Sequence, residues 1–477
     1  MSKQRTRRDF LKVTTAGIAG AAVIEALPAS AKAVINSKRP SGEINVRLTA
    51  GAKRYSQEAP VRWRPASGGS KSAIQLDAAK TYQDMLGFGA AFTDAACYMF
   101  NQLAPADREK LLREFYDPAE MNFGVGRLCI GSSDYATKAY SYCDEADPEL
   151  KSFSVDHDKE YILPALRMAR KFNPELYLLG SPWSPPGWMK SNGSMLGGSM
   201  KKKFYQPYAQ YFVKFLKAYE AEGVPVNSIT TQNEVDTDQD GRMPACLWGQ
   251  EYEIEFVGQH LGPALEKAGI NTKIWLIDHN YNLWGRAICE LEDKLVNKYA
   301  EGVAWHGYAG SPEAMSKVHN AFPTKSTYWT EGGPDYTDPA YLTDWTKWSA
   351  QFTGILRNWS RCIIGWNLAL DEKGRPNIGP FPCGGVVTIN SETKEITRSG
   401  QYWALAHYSK AVKRGAKRFD SKGEVANISH VAFVNPDGSK AVVLTNAGAE
   451  TTTRVQMAGM AADVVLPKES VVTLMWK

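Results

Sequence analysis

Apolar and polar positions follow three successive rhythms along this chain. Residues 44–49, Ile-Asn-Val-Arg-Leu-Thr, alternate at period two, the pattern of a half-buried strand. Residues 53–70 are punctuated by Pro, Gly and Ser and read as loop or sheet edge. Beyond them, short apolar runs alternate with stretches whose apolar positions recur at helical spacing. The strand-like runs fall at 85–94, 125–130, 176–180, 228–231, 273–277, 302–306, 327–330 and 362–366. Helical patterns lie between them at 105–115, 156–170, 203–222, 251–268, 312–319 and 341–359. Such alternation implies parallel strands joined by helical crossovers. Eight strand-like runs favour a closed (β/α)8 TIM barrel over an open doubly wound sheet.

The third rhythm begins late. Residues 431–438, 440–445, 451–457 and 470–476 read as short strands, with turns such as Asp437-Gly438 between them. That spacing predicts a β-sandwich, which the strand at Ile44 is placed to complete. The expected fold is α/β, a TIM barrel with an attached small β-sandwich. The expected division is a leader at 1–33, sandwich strands at 34–78, the barrel at 79–405 and the C-terminal sandwich at 406–477.

The leader has its own signature. Thr6-Arg7-Arg8-Asp9-Phe10-Leu11-Lys12 is a twin-arginine pattern. The apolar stretch 13–24 is shorter than the ~20 residues that a spanning helix needs. Ala31-Lys32-Ala33 has the small-x-small form of a cleavage site. We therefore expect export by the twin-arginine route, a mature chain from about Val34 without an integral membrane segment, and a periplasmic or extracellular location. The net charge of +5 is mostly the leader's, where six Lys and Arg face Asp9 and Glu25. The remainder is near neutrality and implies no nucleic-acid partner.

Other compositional features exclude more than they assign. Seven cysteines at wide spacing form no CxxC pair, which argues against a metal site. One or two disulfides stay open, and most of the thiols are expected as small buried hydrophobes. Gly87-Phe88-Gly89 lacks the third glycine and the Lys-Ser/Thr of nucleotide loops. Its glycines suit a closely packed first barrel strand instead. No cofactor is called for. Fourteen Trp and 22 Tyr either stack on sugar rings or fill a large core.

The candidate chemistry sits at strand ends. Asn233-Glu234 follows the fourth barrel run, and Glu331 ends the seventh. Barrel enzymes place their catalytic groups at the C-terminal ends of strands. Two carboxylates about 5 Å apart are what retaining glycoside hydrolysis requires, one attacking the anomeric carbon and the other protonating the leaving oxygen. Asn233 is placed to hold a sugar 2-hydroxyl.

Several stretches then resemble glycoside hydrolase family 30, the family of glucosylceramidase. They are Gly87-Phe88-Gly89-Ala90-Ala91-Phe92-Thr93-Asp94, the segment from Ser181-Pro182-Trp183 to Met189-Lys190, Gln232-Asn233-Glu234, Thr330-Glu331-Gly332-Gly333 and Gly365-Trp366-Asn367-Leu368-Ala369-Leu370. Tyr402-Trp403 to Ser409-Lys410 and Phe433-Val434-Asn435-Pro436-Asp437-Gly438 extend the likeness into the tail. The resemblance implies a secreted retaining β-glycosidase with Glu234 as acid/base and Glu331 as nucleophile. It also implies that Arg127 steadies the nucleophile, and that Asp134, Trp183, Asn233, His306, Tyr308 and Trp366 bind substrate. A raised Glu234 pKa is expected, so that the group starts protonated. The expected partner is a β-glucoside, a β-glucan or a glucosyl lipid. Within the family, a β-glucosidase of the glucosylceramidase type, an endo-β-1,6-glucanase and a β-xylosidase are all open. The rim segment 371–385, with Pro382-Cys383-Gly384-Gly385, is more similar to bacterial members, including β-1,6-glucanases. From another functional class, the alternative is a non-catalytic carbohydrate-binding protein.

Overall fold

The chain enters through β1 (Glu43–Ala50), β2 (Lys53–Arg62), β3 (Arg64–Pro65) and β4 (Ala73–Asp84) in a computed structural model that describes residues 39–67 and 73–477. The expected leader, 1–33, lies outside the described residues. β1 alternates buried and exposed positions as its sequence predicts, and Asn45–Thr49 pairs antiparallel with the last strand of the chain. β2 is an edge strand, in agreement with the punctuated sequence of 53–70. β4 runs across the expected 78/79 boundary and belongs to the sandwich sheet throughout.

Eight parallel strands follow: β5 (Gly87–Phe92), β6 (Val125–Cys129), β7 (Tyr177–Ser181), β8 (Ser228–Thr230), β9 (Lys273–Asn280), β10 (Ala300–His306), β11 (Ser326–Glu331) and β12 (Ser360–Asn367). They close into a barrel in sequence order, with β12 pairing back onto β5. Each coincides with one of the runs read from the sequence. Their residues are buried on both faces, as helical crossovers outside and packed side chains inside require. Gly89 shows how close the strands lie, since a Cβ there would fall 1.8 Å from the Val125 carbonyl oxygen.

After the barrel come β13 (Ala369–Leu370), β14 (Val387–Ile389) and β15 (Ile396–Arg398), a small sheet above β12. The helix Gly400–Ser409 then leads into β16 (Lys417–Lys422), β17 (Ile428–Val434), β18 (Lys440–Asn446), β19 (Thr451–Met457), β20 (Met460–Leu466) and β21 (Ser470–Trp476). These six strands join β1 to β4 in one hydrogen-bonded order, with β21 beside β1 and β4 between β16 and β19. The sandwich core includes Ile44, Val46, Phe419, Leu444 and Trp476.

Side chains inside the barrel are layered. Val125, Leu179, Trp275, Ala304, Tyr328 and Ile364 fill its lower part, where the Trp275 and Tyr328 rings stack 3.6 Å apart. Two residues further along four of these strands, the positions are polar and buried: Arg127, Ser181, His306 and Thr330. That layer carries the site.

Candidate active site

Asp278 lies at the centre of the polar layer, fully buried near the end of β9. It faces Arg127 Nη2 at 2.7 Å and His306 Nε2 at 3.1 Å, and it accepts hydrogen bonds from the hydroxyls of Ser181, Thr230 and Thr330. Burial opposes its charge, but Arg127 and His306 outweigh burial and hold its carboxyl far below the usual carboxylate range. Arg127 spans from this anion to the next. Its Nη1 donates to Glu331 Oε2, and its Nη2 donates to Asn233 Oδ1 at 2.7 Å. Burial disfavours the guanidinium charge, and Asp278 with Glu331 more than restores it. A fully buried arginine in the middle of a strand is thereby paired.

Glu331 and Glu234 face each other above this layer. Tyr308 Oη donates to Glu331 Oε1 at 3.0 Å. Glu234 is held at φ 57°, just past β8, in the left-handed region that non-glycine residues seldom adopt. Its Oε2 accepts from Gln239 Nε2 at 2.7 Å, while its Oε1 lies 3.2 Å from His279 Nε2 and 3.3 Å from His306 Nδ1. One carboxylate oxygen of Glu234, one of Glu331 and a nitrogen of His306 all lie within 4.8 Å of one another. The two glutamates close the floor of a cavity of about 460 Å³, lined among others by Asp134, Trp183, Asn233, Tyr308 and Trp366. The Trp183 and Trp366 rings stack with centroids 5.0 Å apart, and the Arg127 guanidinium sits 4.6 Å from the Trp183 centroid. Tyr308 and Phe381 are half-exposed at the mouth.

Residues 85–412 match the glycosyl hydrolase family 30 TIM-barrel domain, and residues 415–474 match the glycosyl hydrolase family 30 beta sandwich domain. The chain belongs to glycosyl hydrolase family 30. It is similar to an endo-1,6-beta-D-glucanase of Neurospora crassa, 34% identical over 418 residues that cover 83% of this chain and 86% of that one. It is also similar to the putative glucosylceramidase 4 of Caenorhabditis elegans, 30% identical over 86% of this chain and 85% of that one. Among solved structures, an endo-beta1,6-glucanase superposes with a TM-score of 0.83 at 31% identity, covering 91% of this chain and 100% of that one. The protein is a glycoside hydrolase with the barrel and sandwich of its family.

The family 30 site departs from its sequence reading in two ways. First, His306 is fully buried beneath the cavity, where the sequence places it among substrate-binding groups. Both its nitrogens are engaged, one toward Glu234 and Glu331 and the other toward Asp278. Second, Glu234 is shifted opposite to expectation. Burial pushes its pKa up, but His279 and His306 outweigh burial and hold it well below the usual carboxylate range. Asp134, which lines the same cavity, is raised instead, through burial and the charges of Glu331 and Glu234. The disulfide question that the sequence leaves open is closed, since all seven cysteines are described and none is paired. Five are buried, as small hydrophobes would be, and Cys383 lines the cavity.

The sequence reading missed Asp278, His279, Asp236 and Gln239. Asp278 and His279 stand just past the point where the fifth run was ended, at Ile277. The strand in fact continues to Asn280. The signal was the one used for Glu234 and Glu331, ionisable residues at the end of a barrel strand.

Proposed function

We propose that this enzyme hydrolyses β-D-glucosidic bonds by double displacement with retention of configuration, and that its substrate is a β-1,6-linked glucan. The observation that carries the mechanism is the approach of Glu234 and Glu331, whose oxygens lie within 4.8 Å. Retaining enzymes hold their carboxyl groups at about 5 Å, whereas inverting enzymes need about 6.5–9.5 Å to admit a water. Glu331 is the nucleophile in this reading, because Arg127 and Tyr308 donate hydrogen bonds to its two carboxylate oxygens and fix it facing the cavity. It attacks the anomeric carbon while Glu234 gives a proton to the departing oxygen. Glu234 then takes a proton from water, whose oxygen displaces Glu331. Asn233 uses its Oδ1 on Arg127, which leaves its amide N–H groups for a sugar hydroxyl. Trp183 and Trp366, stacked on each other, line the cavity as an apolar wall for the ring.

The substrate rests on likeness at 34% and 31% identity to two proteins named endo-1,6-glucanases. The likeness to a putative glucosylceramidase makes a glucosyl lipid the second reading. Export is part of the proposal, supported by the twin-arginine pattern. Finding the intact chain in the cytoplasm would overturn that part.

The test is a panel of pustulan, laminarin, aryl β-glucosides and a glucosyl lipid, read for product size and anomer. Pustulan cleavage with the β-anomer released first is expected. Glu331→Gln should lower turnover by about 10³-fold or more. Glu234→Ala should lose activity on unactivated leaving groups and form a β-glycosyl azide when azide is supplied. A first-formed α-anomer would sink the retaining assignment, and cleavage of the lipid alone would replace the glucan.

A further inference from the structure

Glu234 does not meet solvent alone. Behind it, His279 Nε2 lies 3.2 Å from Glu234 Oε1, and His279 Nδ1 bonds to Asp236 Oδ1. Asp236 and Glu234 are two residues apart on the segment after β8, and His279 comes from β9. Asp236 has 34% of its side chain exposed, His279 9% and Glu234 13%, so the three run from near the surface to the reacting centre.

Asn280 balances the arrangement. Its Oδ1 accepts the backbone N–H groups of Tyr308 and Ala309, which turns its Nδ2 toward His279 Nε2 at 3.0 Å. This N–H directed at Nε2 favours a lone pair there, whereas Asp236 on Nδ1 and Glu234 at Nε2 favour the protonated ring. Burial also opposes a charge on His279, and against it Asp236 and Glu234 raise its proton affinity, to about 10. The other ionisable groups nearby are His306, whose ring centroid is 5.7 Å away, beyond it Asp278 and Glu331, then Asp134 and Tyr308 across the cavity from Glu234, and Arg286, whose charge acts on Asp236.

We propose that Asp236 and His279 form a proton reservoir for Glu234, so that one exchangeable proton is shared between Glu234 Oε1 and His279 Nε2. The proposal rests on Glu234 being the acid/base. In the first step the shared proton leaves through Glu234 to the glycosidic oxygen as its bond to the anomeric carbon breaks and the Glu331 ester forms. Glu234 is then a carboxylate beside a neutral His279. In the second step water gives Glu234 a proton, its oxygen bonds to the anomeric carbon, and the ester to Glu331 breaks. The proton returned equals the proton spent. The device explains how a carboxyl held low by two histidines still acts as an acid: the pair stays protonated at pH values where an isolated carboxyl would be ionised. His279 is a positioning and proton-holding residue, and it acts through Glu234.

The pH dependence of kcat/KM tests this on pustulan and on aryl β-glucosides. The alkaline limb reports loss of the acid's proton in free enzyme. In His279→Gln it should move down by about one pH unit or more, with the acid limb unmoved. Asp236→Asn should move it in the same direction by less. The loss should be at least about tenfold smaller with a dinitrophenyl leaving group, which needs little protonation. An alkaline limb that stays in place or rises in both variants overturns the reservoir. Asp236→Asn, at a partly exposed position, carries the test if His279→Gln does not fold. Glu234→Ala run alongside separates the two readings. If it keeps full activity on unactivated substrates and azide adds nothing, the acid/base assignment itself fails.

Discussion

Asp278 collects contacts from Arg127 on β6, Ser181 on β7, Thr230 on β8, His306 on β10 and Thr330 on β11, so with its own β9 it ties six strands of the barrel to one carboxylate. It has no exposure and no route to substrate, so its effect passes through Arg127 to Glu331 and through His306 to both glutamates. Removing one partner of a buried charged network strands the others, and Asp278→Ala should cost about 3–5 kcal/mol of stability. Urea unfolding measures that loss. Activity should fall with it, because Arg127 would no longer be held where it meets Glu331. At this scale the sequence carried much of the site. Glu234, Glu331, Asn233, Trp183, Trp366, Asp134 and Tyr308 all line one cavity, as motif and strand-end position suggested. Arg127 and His306 belong to the layer beneath. Partners that come from elements far apart in sequence were not legible, because no periodicity records which side chains meet across a barrel.

The elements explain why two adjacent residues on one strand both reach the site. Strict alternation would send Asp278 and His279 to opposite faces. The pairing of β9 with β10 instead skips Asp278, and Ile277 and Asp278 both have positive φ. For a β-branched residue such as Ile277 that conformation is strained, and strain of this kind collects at functional sites. The pairing of β10 with β11 skips Thr330 in the same way, which lets Thr330 bond to Asp278 while Glu331 faces the cavity. Bulges next to active sites re-aim side chains, and here two of them place the central anion Asp278 and turn Glu331 into the cavity. Eight strand positions were legible from apolar runs, but the bulges were not, because an extra residue in a ladder is defined only by its partner strand. The first strand is less tolerant. Gly89→Ala would drive a methyl group into the Val125 carbonyl, and we expect a loss of about 3 kcal/mol, visible as a lower denaturation midpoint.

The whole molecule joins barrel to sandwich partly through His407. It is fully buried in the helix Gly400–Ser409, with Nδ1 2.8 Å from Thr473 Oγ1 on β21 and Nε2 2.8 Å from Thr49 Oγ1 on β1. Burial lowers its pKa to about 3. The unfolded chain, with an ordinary histidine at ~6.5, binds a proton between those values that the native state does not. Stability therefore rises with pH across that window and is lost as pH falls through it, by up to about 1.4 kcal/mol per pH unit from this group. Urea midpoints at pH 4.5 and 7 should differ by less in His407→Gln than in the parent. An unchanged difference would place the acid sensitivity elsewhere.

The sequence by itself determined the barrel, the tail of short strands, the pair of glutamates and most of the cavity wall. These follow from local periodicity, from strand-end position and from motifs contiguous in the chain. The tertiary structure alone decided that β4 belongs to the sandwich, that Asp278 neutralises Arg127, and that His279 and His306 beside Glu234 lower its pKa where the sequence reading expects a raised one. Those outcomes depend on distances between strands distant in sequence, where burial and charge compete and the nearest partner decides the sign.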